Sequence, residues 1–467
     1  MANAKSGHKA ILDILDADDA PPEIQGINRH HAFTMWGSKA VVVYEDPSGP
    51  LQIRTIDAFK AWFANRRIQT PDPTGTVRSS PLGQAWLSHP QRRQYEGVEF
   101  FPNPDGAEPK PNHLNLWRGF SVAPSSEGKW GILKDHLSNN VCNGDAELFD
   151  YVFGWFAHIV QRPRDKLGTA LVLRGKMGTG KSRLGEVFGS LFPAHYLQID
   201  SGRYLTGQFN GHMTNCLLLQ SDEAVWAGDK SAEGRLKGLI TSEYQMIESK
   251  GLDPIKMPNY VRCIMTSNEG WVVPAGKDER RFCVLDVHPR CAQNHDYFGE
   301  MEVELNNGGR ERLLFDLLHF DLSKVNLRRI PRTKGLLDQK LRSLDSVETY
   351  WYGRLSDGTT TSQTTDWVGE ISTDLLFEDY VRTSSQIGEK RRVAKPQFGE
   401  AIQKFGVIKR RPTIRDEHGN LSRVYRYAFP HLREARAKFE EILGQQIDWR
   451  APTDETEDTI SNDREHE

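Results

Sequence analysis

Long apolar runs are missing from this 467-residue chain. No stretch approaches the roughly 20 consecutive apolar residues that a membrane-spanning helix requires, and none has the short apolar core of a secretory signal. A helical membrane protein is thereby excluded, and no membrane partner is expected. Cysteine is scarce as well: Cys142, Cys216, Cys263, Cys283 and Cys291 are the five thiols. They lack the paired spacing of a disulfide framework or a zinc site, and three sit in apolar, strand-like runs, so they are expected as reduced core residues. His288, Cys291 and His295 lie close in sequence but want a fourth ligand for a tetrahedral zinc. A strong net charge of either sign is also absent. The total of −3 says nothing by itself about nucleic acid, but its distribution is uneven. Residues 446–467 hold eight acidic side chains against Arg450 and Arg464, a local charge of −6. Between Gly388 and Arg436 thirteen Lys or Arg residues face five acids, a local excess of +8. The first segment reads as a disordered tail and the second as the electrostatic candidate for a phosphate backbone.

What the chain does have is a complete strand, glycine loop and helix in one stretch. The apolar run Thr169–Arg174 leads into Gly175-Lys-Met-Gly178-Thr179-Gly180-Lys181-Ser182, and a helix-like Arg183-Leu-Gly-Glu-Val-Phe follows. Glycines let backbone N–H groups turn inward around phosphate oxygens, Lys181 reaches the β- and γ-phosphates, and Ser182 supplies a hydroxyl to Mg²⁺. A bound nucleoside triphosphate is the expectation. Two further strand ends carry chemistry. Cys216-Leu-Leu-Leu-Gln-Ser-Asp222-Glu223 places two carboxylates after an apolar strand: Asp222 suits a Mg²⁺ ion, and Glu223 suits a water that attacks the γ-phosphate. Tyr260-Val-Arg-Cys-Ile-Met-Thr-Ser-Asn268 ends in an amide that can sense the γ-phosphate and orient the same water.

The rest of the chain organises around that core. Residues 1–27 read as a flexible acidic leader and 28–112 as a small α+β region of undetermined purpose. Residues 113–165 are helix-rich, with Phe149, Val152, Phe153, Phe156 and Ile159 forming an apolar face before Pro163. From 166 to 345 strands and helices alternate, which predicts an α/β sheet flanked by helices and ending in lid helices. A polar stretch within 346–366 reads as a linker. Residues 367–445 show two helical patterns, Leu375–Thr383 and Pro396–Phe405, then a hairpin around His418-Gly-Asn420, which together suggest a basic winged helix.

In this order, the motifs resemble those of superfamily 3 helicases. They look most similar to the helicase part of phage and mobile-element primase-helicases of the poxvirus type. The resemblance rests on Gly175–Ser182, Asp222-Glu223, the stretch Lys237–Lys256, Asn268, and Asp278-Glu-Arg280-Arg281 ahead of the strand Phe282–Val287. It spans residues 113–290. It implies a modified AAA+ fold, a hexameric ring, ATP hydrolysis with Mg²⁺ at subunit boundaries, and movement along single-stranded or forked DNA, typically 3′ to 5′. Position by position, it implies that Lys181, Glu223 and Asn268 are catalytic and that Gly175, Gly178, Thr179, Gly180, Lys181, Ser182 and Arg183 line the nucleotide. Ser182 and Asp222 then hold the metal. Arg281, with Arg280 as its near-equivalent, matches the arginine finger that enters a neighbouring subunit. Lys250 and Lys256 match a hairpin that grips DNA in the ring channel, and Arg410 and Arg411 lead the basic face of the winged-helix candidate. The acidic metal cluster of a primase is lacking, apart from Asp16-Ala-Asp18 in the leader, so priming is expected of a separate primase or polymerase. The expected function is a replicative helicase of a phage, prophage or satellite element in the cytoplasm of a bacterial host. The rival is an ATP-dependent origin-binding initiator or assembly switch that does not unwind.

Overall fold

The computed structural model describes residues 20–45, 51–71, 77–222, 230–268, 270, 272–386, 388, 391–415 and 421–449. The chain divides into two compact units, residues 1–272 with 280–331, and residues 273–279 with 332–467.

The first unit opens with an antiparallel sheet of β1 (His31–Trp36), β2 (Lys39–Tyr44) and β3 (Gln52–Thr55), in which His31 pairs with Tyr44 and Trp36 with Lys39. Ala40-Val-Val-Val-Tyr alternates poorly, and Val41 to Val43 are all buried because both faces of the sheet are covered. Helices Pro22–Asn28, Ile56–Trp62 and Leu82–Ser88 complete a core around Ile24, Val42, Phe59 and Trp86. The leader expected to run to residue 27 is therefore too long. Ile24 and Ile27 are buried, since Pro22 at the first helical turn lets a short amphipathic helix form there; residues 1–19 lie outside the described residues. Short pairs follow: β4 (Arg67–Pro71) with β5 (Val77–Pro81), and β6 (Gly97–Glu99) with β7 (His113–Asn115).

Helix Ala146–Gln161 begins at Asp145, whose carboxylate accepts from Leu148 N, and carries the expected apolar face. Phe156 stacks on Phe188 of helix Lys181–Gly189 at 3.6 Å. Five parallel strands form the centre: β8 (Ala170–Arg174), β9 (Tyr196–Ile199), β10 (Leu218–Asp222), β13 (Arg262–Ser267) and β14 (Phe282–Asp286). Their order is β14-β8-β13-β10-β9. Between β10 and β13 an antiparallel hairpin, β11 (Tyr244–Ile247) and β12 (Ile255–Pro258), stands outside the sheet. All five cysteines are buried.

The second unit holds helices Lys334–Arg342, Ser346–Asp357, Thr373–Gln386, Lys395–Gln403 and Leu432–Leu443. A three-stranded sheet runs β15 (Glu370–Ser372), β19 (Arg426–Ala428), β16 (Ile408–Arg410), and β17 (Thr413–Arg415) pairs with β18 (Leu421–Arg423). Arg423 thus ends β18 of the hairpin, while Arg426–Ala428 three residues on belong to the other sheet. The linker expected over 346–366 is overturned. Asp345 and Glu348 form a capping box on helix Ser346–Asp357, and its Tyr350, Trp351 and Leu355 enter the core. The threonine-rich stretch after it is packed by side-chain hydrogen bonds in place of apolar anchors. Thr360 Oγ1 exchanges bonds with Val368, while buried Asp379 accepts from Ser362 N at 3.0 Å and Tyr350 OH at 2.8 Å. The tail expected from 446 starts too early as well, because Trp449 packs on Phe439 and donates to Glu440 Oε1 at 2.8 Å. Residues 450–467 lie outside the described residues. Among the described residues, no helix is long and apolar enough to cross a membrane.

Candidate nucleotide and nucleic-acid site

The glycine loop leaves β8, a strand buried along Ala170 to Leu173, and turns directly into helix Lys181–Gly189. Its turns need glycine: φ is +152° at Gly175, +76° at Gly178 and +83° at Gly180. The loop is also packed from behind. A Cβ on Gly180 would fall 2.7 Å from the Phe298 ring and 2.8 Å from His136. Thr179, expected to line the nucleotide, donates its hydroxyl back to Lys176 O at 2.9 Å and so closes the loop on itself.

Lys181 is buried, and its ammonium is held by oxygens of the loop and of Asn268. Nζ donates to the carbonyls of Gly175 at 2.7 Å and Lys176 at 2.8 Å, and to Asn268 Oδ1 at 2.8 Å. Asn268 stands one residue past β13, which lies next to β8, so sheet order brings together two residues 87 apart in sequence. Ser182 donates its hydroxyl to Asp222 Oδ1 at 3.1 Å. Asp222 also accepts from Thr266 Oγ1 at 2.7 Å, Gln220 Nε2 at 2.9 Å and Gln198 Nε2 at 2.6 Å. Every one of these donors is neutral. They orient the carboxylate without cancelling its charge, which leaves a hydroxyl and a carboxylate side by side, the oxygen set that a hard divalent cation takes. With a lysine at the head of a glycine loop, the residues present fit a phosphate chain and its cation.

Gln220, Thr266 and Gln198 were not expected from the sequence. Gln220 had a signal, a polar residue in the middle of the apolar run Cys216–Asp222, and it is fully buried with its oxygen on Tyr196 OH at 2.8 Å. Gln198 had none, since its role arises from the pairing of Ile199 with Ser221 across β9 and β10. Glycine at 185 serves the same cluster, because a Cβ there would fall 1.9 Å from Gln220 Oε1.

Other expected residues divide between the cluster and elsewhere. Arg183 bonds to Glu302 and to Glu186 at 3.3 Å, so carboxylates engage it in this structure. Glu223 lies outside the described residues. Arg280 is exposed and Arg281 half-buried at the start of β14, where Arg281 O accepts from Ala170 N at 2.7 Å. Lys250 is exposed at the turn of the β11–β12 hairpin, and Lys256 lies 4.3 Å over the Tyr244 ring on its exposed face. The first strand of that hairpin is tied near its turn end to the segment before β10, where Asn210 accepts from Glu248 N and donates to Met246 O, both at 2.8 Å. In the second unit Arg410 pairs with Glu370 at 3.6 Å, while Lys409 and Arg411 flank Tyr425 at 4.6 and 4.9 Å.

The fold and this cluster define a mixed α/β protein whose parallel sheet holds a glycine loop, a carboxylate and an amide at adjacent strand ends. Comparison with known proteins narrows that class. A protein-family model described as a family of unknown function (DUF5906) matches residues 173–281, the segment from β8 to Arg281. A DNA primase-polymerase of Nitratiruptor phage NrS-1 is 27% identical over 286 residues, a match that takes in 58% of this chain and 38% of that protein. The chain therefore spans well under half the length of this relative. Two structures of the NrS-1 C-terminal region, without ligand, share the fold. One has a TM-score of 0.60 at 17% identity over 87% of this chain and 98% of its own. The other has a TM-score of 0.55 at 18% identity over 92% and 93%.

Proposed function

We propose that this chain is the ATP-driven DNA helicase of a phage-type replication system, a superfamily 3 motor of the AAA+ class. One observation carries the reading: Lys181, Asn268, Ser182 and Asp222 converge from three adjacent strand ends on one glycine loop. The strand order β14-β8-β13-β10-β9 supports it, since it sets β13, which leads to Asn268, between the loop strand β8 and the strand β10 that ends in Asp222. The likeness to a phage DNA primase-polymerase supports a place in phage replication.

Bound ATP with Mg²⁺ supplies the phosphoanhydride and the charge that activates it. Lys181, now held by two loop carbonyls and Asn268, turns to the phosphates when they replace those acceptors. Ser182 and Asp222 would hold the metal, and Asn268, no longer bonded to Lys181, would orient water. Glu223 takes the water's proton, and Arg281 or Arg280 enters the site of the next copy in a hexameric ring. Lys250 and Lys256 grip the phosphates of a single strand. In the second unit, the order of strand, two helices, strand, hairpin and strand supports a winged helix, with Arg410 and Arg411 on a duplex or fork.

Unwinding of a forked duplex over a salt series tests this. ATP-dependent strand separation that declines as salt rises is the expected result. ATP hydrolysis with oligonucleotide binding but no separation at any salt concentration would instead favour the assembly switch.

A further inference from the structure

The turn of the β11–β12 hairpin is held by a second turn from a distant part of the sequence. Between β1 and β2 the chain reverses at Gly37, whose φ is +60°. Ser38 donates to Asp253 Oδ2 from its backbone N at 3.2 Å and again from its hydroxyl. Lys39 donates to the carbonyl of Gly251 at 2.9 Å and lies 3.8 Å from the Asp253 carboxylate. Gly37 is pressed so closely that a Cβ would fall 3.0 Å from Asp253 Cβ and 3.5 Å from Ile255. Three consecutive residues of one turn thus meet three positions of the other, and both turns belong to the first unit.

Two physical points give the contact consequence. A hairpin of four residues per strand is marginal alone, and the bonds from Gln208, Asn210 and Gly211 hold its first strand only as far as Glu248, short of the turn at Lys250–Asp253. The clasped end is also where the charge matters. Asp253 is the single acid between Lys250 and Lys256, and an uncompensated carboxylate there would repel a phosphate. Ser38 and Lys39 engage that carboxylate and fix the direction of the turn.

We infer that the β1–β2 turn is a clasp on the hairpin, which makes Ser38 and Lys39 positioning residues for Lys250 and Lys256. The contact itself stands on geometry; its effect on DNA rests on the proposed function. It gives the amino-terminal sheet a task, the placement of the gripping turn.

Hydrogen exchange of the Gly251–Ile255 amides, with binding of a fluorescent oligothymidylate, tests the clasp in the full chain. Ser38→Ala with Lys39→Ala is expected to speed exchange at the turn by about fivefold, the effect of losing a few exposed polar contacts. Asp253→Asn is the sharper variant, because it removes an anion that repels DNA. If charge alone mattered, it would tighten oligonucleotide binding and leave exchange untouched, and that result overturns the clasp. Faster exchange with weaker or unchanged binding supports it, as does recovered protection in the swap Lys39→Asp with Asp253→Lys. Unchanged exchange in both the Ser38/Lys39 double variant and Asp253→Asn also overturns it. A parent chain that binds no oligonucleotide would remove the DNA reading, and exchange alone would then decide the clasp.

Discussion

At the residue scale the candidate site depends on how a single carboxylate is presented. Asp222 accepts from Ser182, Thr266, Gln220 and Gln198, and each bond restricts its rotation without changing its charge. Supporting residues of this kind typically govern metal affinity by about 10- to 100-fold. Gln220→Leu keeps the volume and removes one donor to Asp222 and one to Ser182 O. Its Mg²⁺ requirement for ATP hydrolysis is expected to rise about tenfold with little change at saturating metal; an unaltered Mg²⁺ titration would contradict the orienting role. Lys181→Ala, by contrast, is expected to abolish hydrolysis at any Mg²⁺ concentration, as measured by phosphate release. The meeting of Lys181, Ser182 and Asp222 at one loop was legible in the sequence because a glycine loop between a strand and a helix, and an acid at the end of another apolar strand, are local patterns. Gln198 and Thr266 were not, because their contacts are created by parallel pairing between strands far apart in sequence. The fate of Arg183 was hidden for the same reason: Glu302 reaches it from a helix that follows β14.

At the scale of elements, a buried cation, Arg262, and a half-buried one, Lys166, join pieces that periodicity alone describes separately. Arg262, the first residue of β13, donates to the carbonyls of Pro163 at 2.8 Å and Tyr260 at 2.6 Å, and to Asp165 O. It thereby satisfies the backbone that follows helix Ala146–Gln161, where Pro163 has ended the helix. Lys166 does the same for Leu239 O at 2.9 Å and Val261 O. Arg262→Leu would strand several buried carbonyls, and a loss of about 3 kcal/mol or more in urea unfolding is expected. A loss below about 1 kcal/mol would show that water replaces the guanidinium. Elements with apolar periodicity, such as helix Ala146–Gln161 and the buried strands β8 and β10, were legible because burial leaves a spacing in the sequence. The segment around Thr360–Asp366 was misread as a linker because its order comes from hydroxyls and Asp379, which leave no period. The leader failed similarly: one short helix with two buried isoleucines is too small a pattern to stand out from an acidic stretch.

At the scale of the whole molecule, acid and assembly are the two informative perturbations. Burial, above all, holds His31, His136 and His195 at about 4 and His158 at about 3, below the ordinary 6.5. His195 shows why neutrality matters: Nε2 accepts from Arg118 N at 2.9 Å while Nδ1 faces Asn215 O at 2.8 Å, so a second proton would destroy one bond. Because these folded-state values lie below the unfolded one, the unfolded chain takes up protons first. Stability is therefore expected to be intact above about pH 6.5 and to fall as the pH drops toward 4, with a loss of a few kcal/mol per histidine. Urea unfolding at a series of pH values measures the slope, and His195→Gln is expected to flatten it by about one proton. A flat profile between pH 6.5 and 4 would mean that the buried rings protonate freely. Assembly is tested by mixing two inactive variants. Arg281→Ala keeps Lys181, Ser182, Asp222 and Glu223 but lacks the arginine offered to a neighbour, whereas Glu223→Gln keeps that arginine and lacks the base. If each ATP site is shared by two copies, neither variant alone hydrolyses ATP, the arginine being worth roughly 10³ or more in rate. In a randomly mixed ring about a quarter of the boundaries pair an intact Glu223 with an intact Arg281. Phosphate release is then expected to peak near equal proportions at up to about a quarter of the parent rate. The same experiment with Arg280→Ala in place of Arg281→Ala decides which arginine acts, because only the true finger shows a deficit that a neighbour can repair. Absence of recovery at every ratio for both arginines would mean that each copy completes its own site and that hydrolysis does not need a ring.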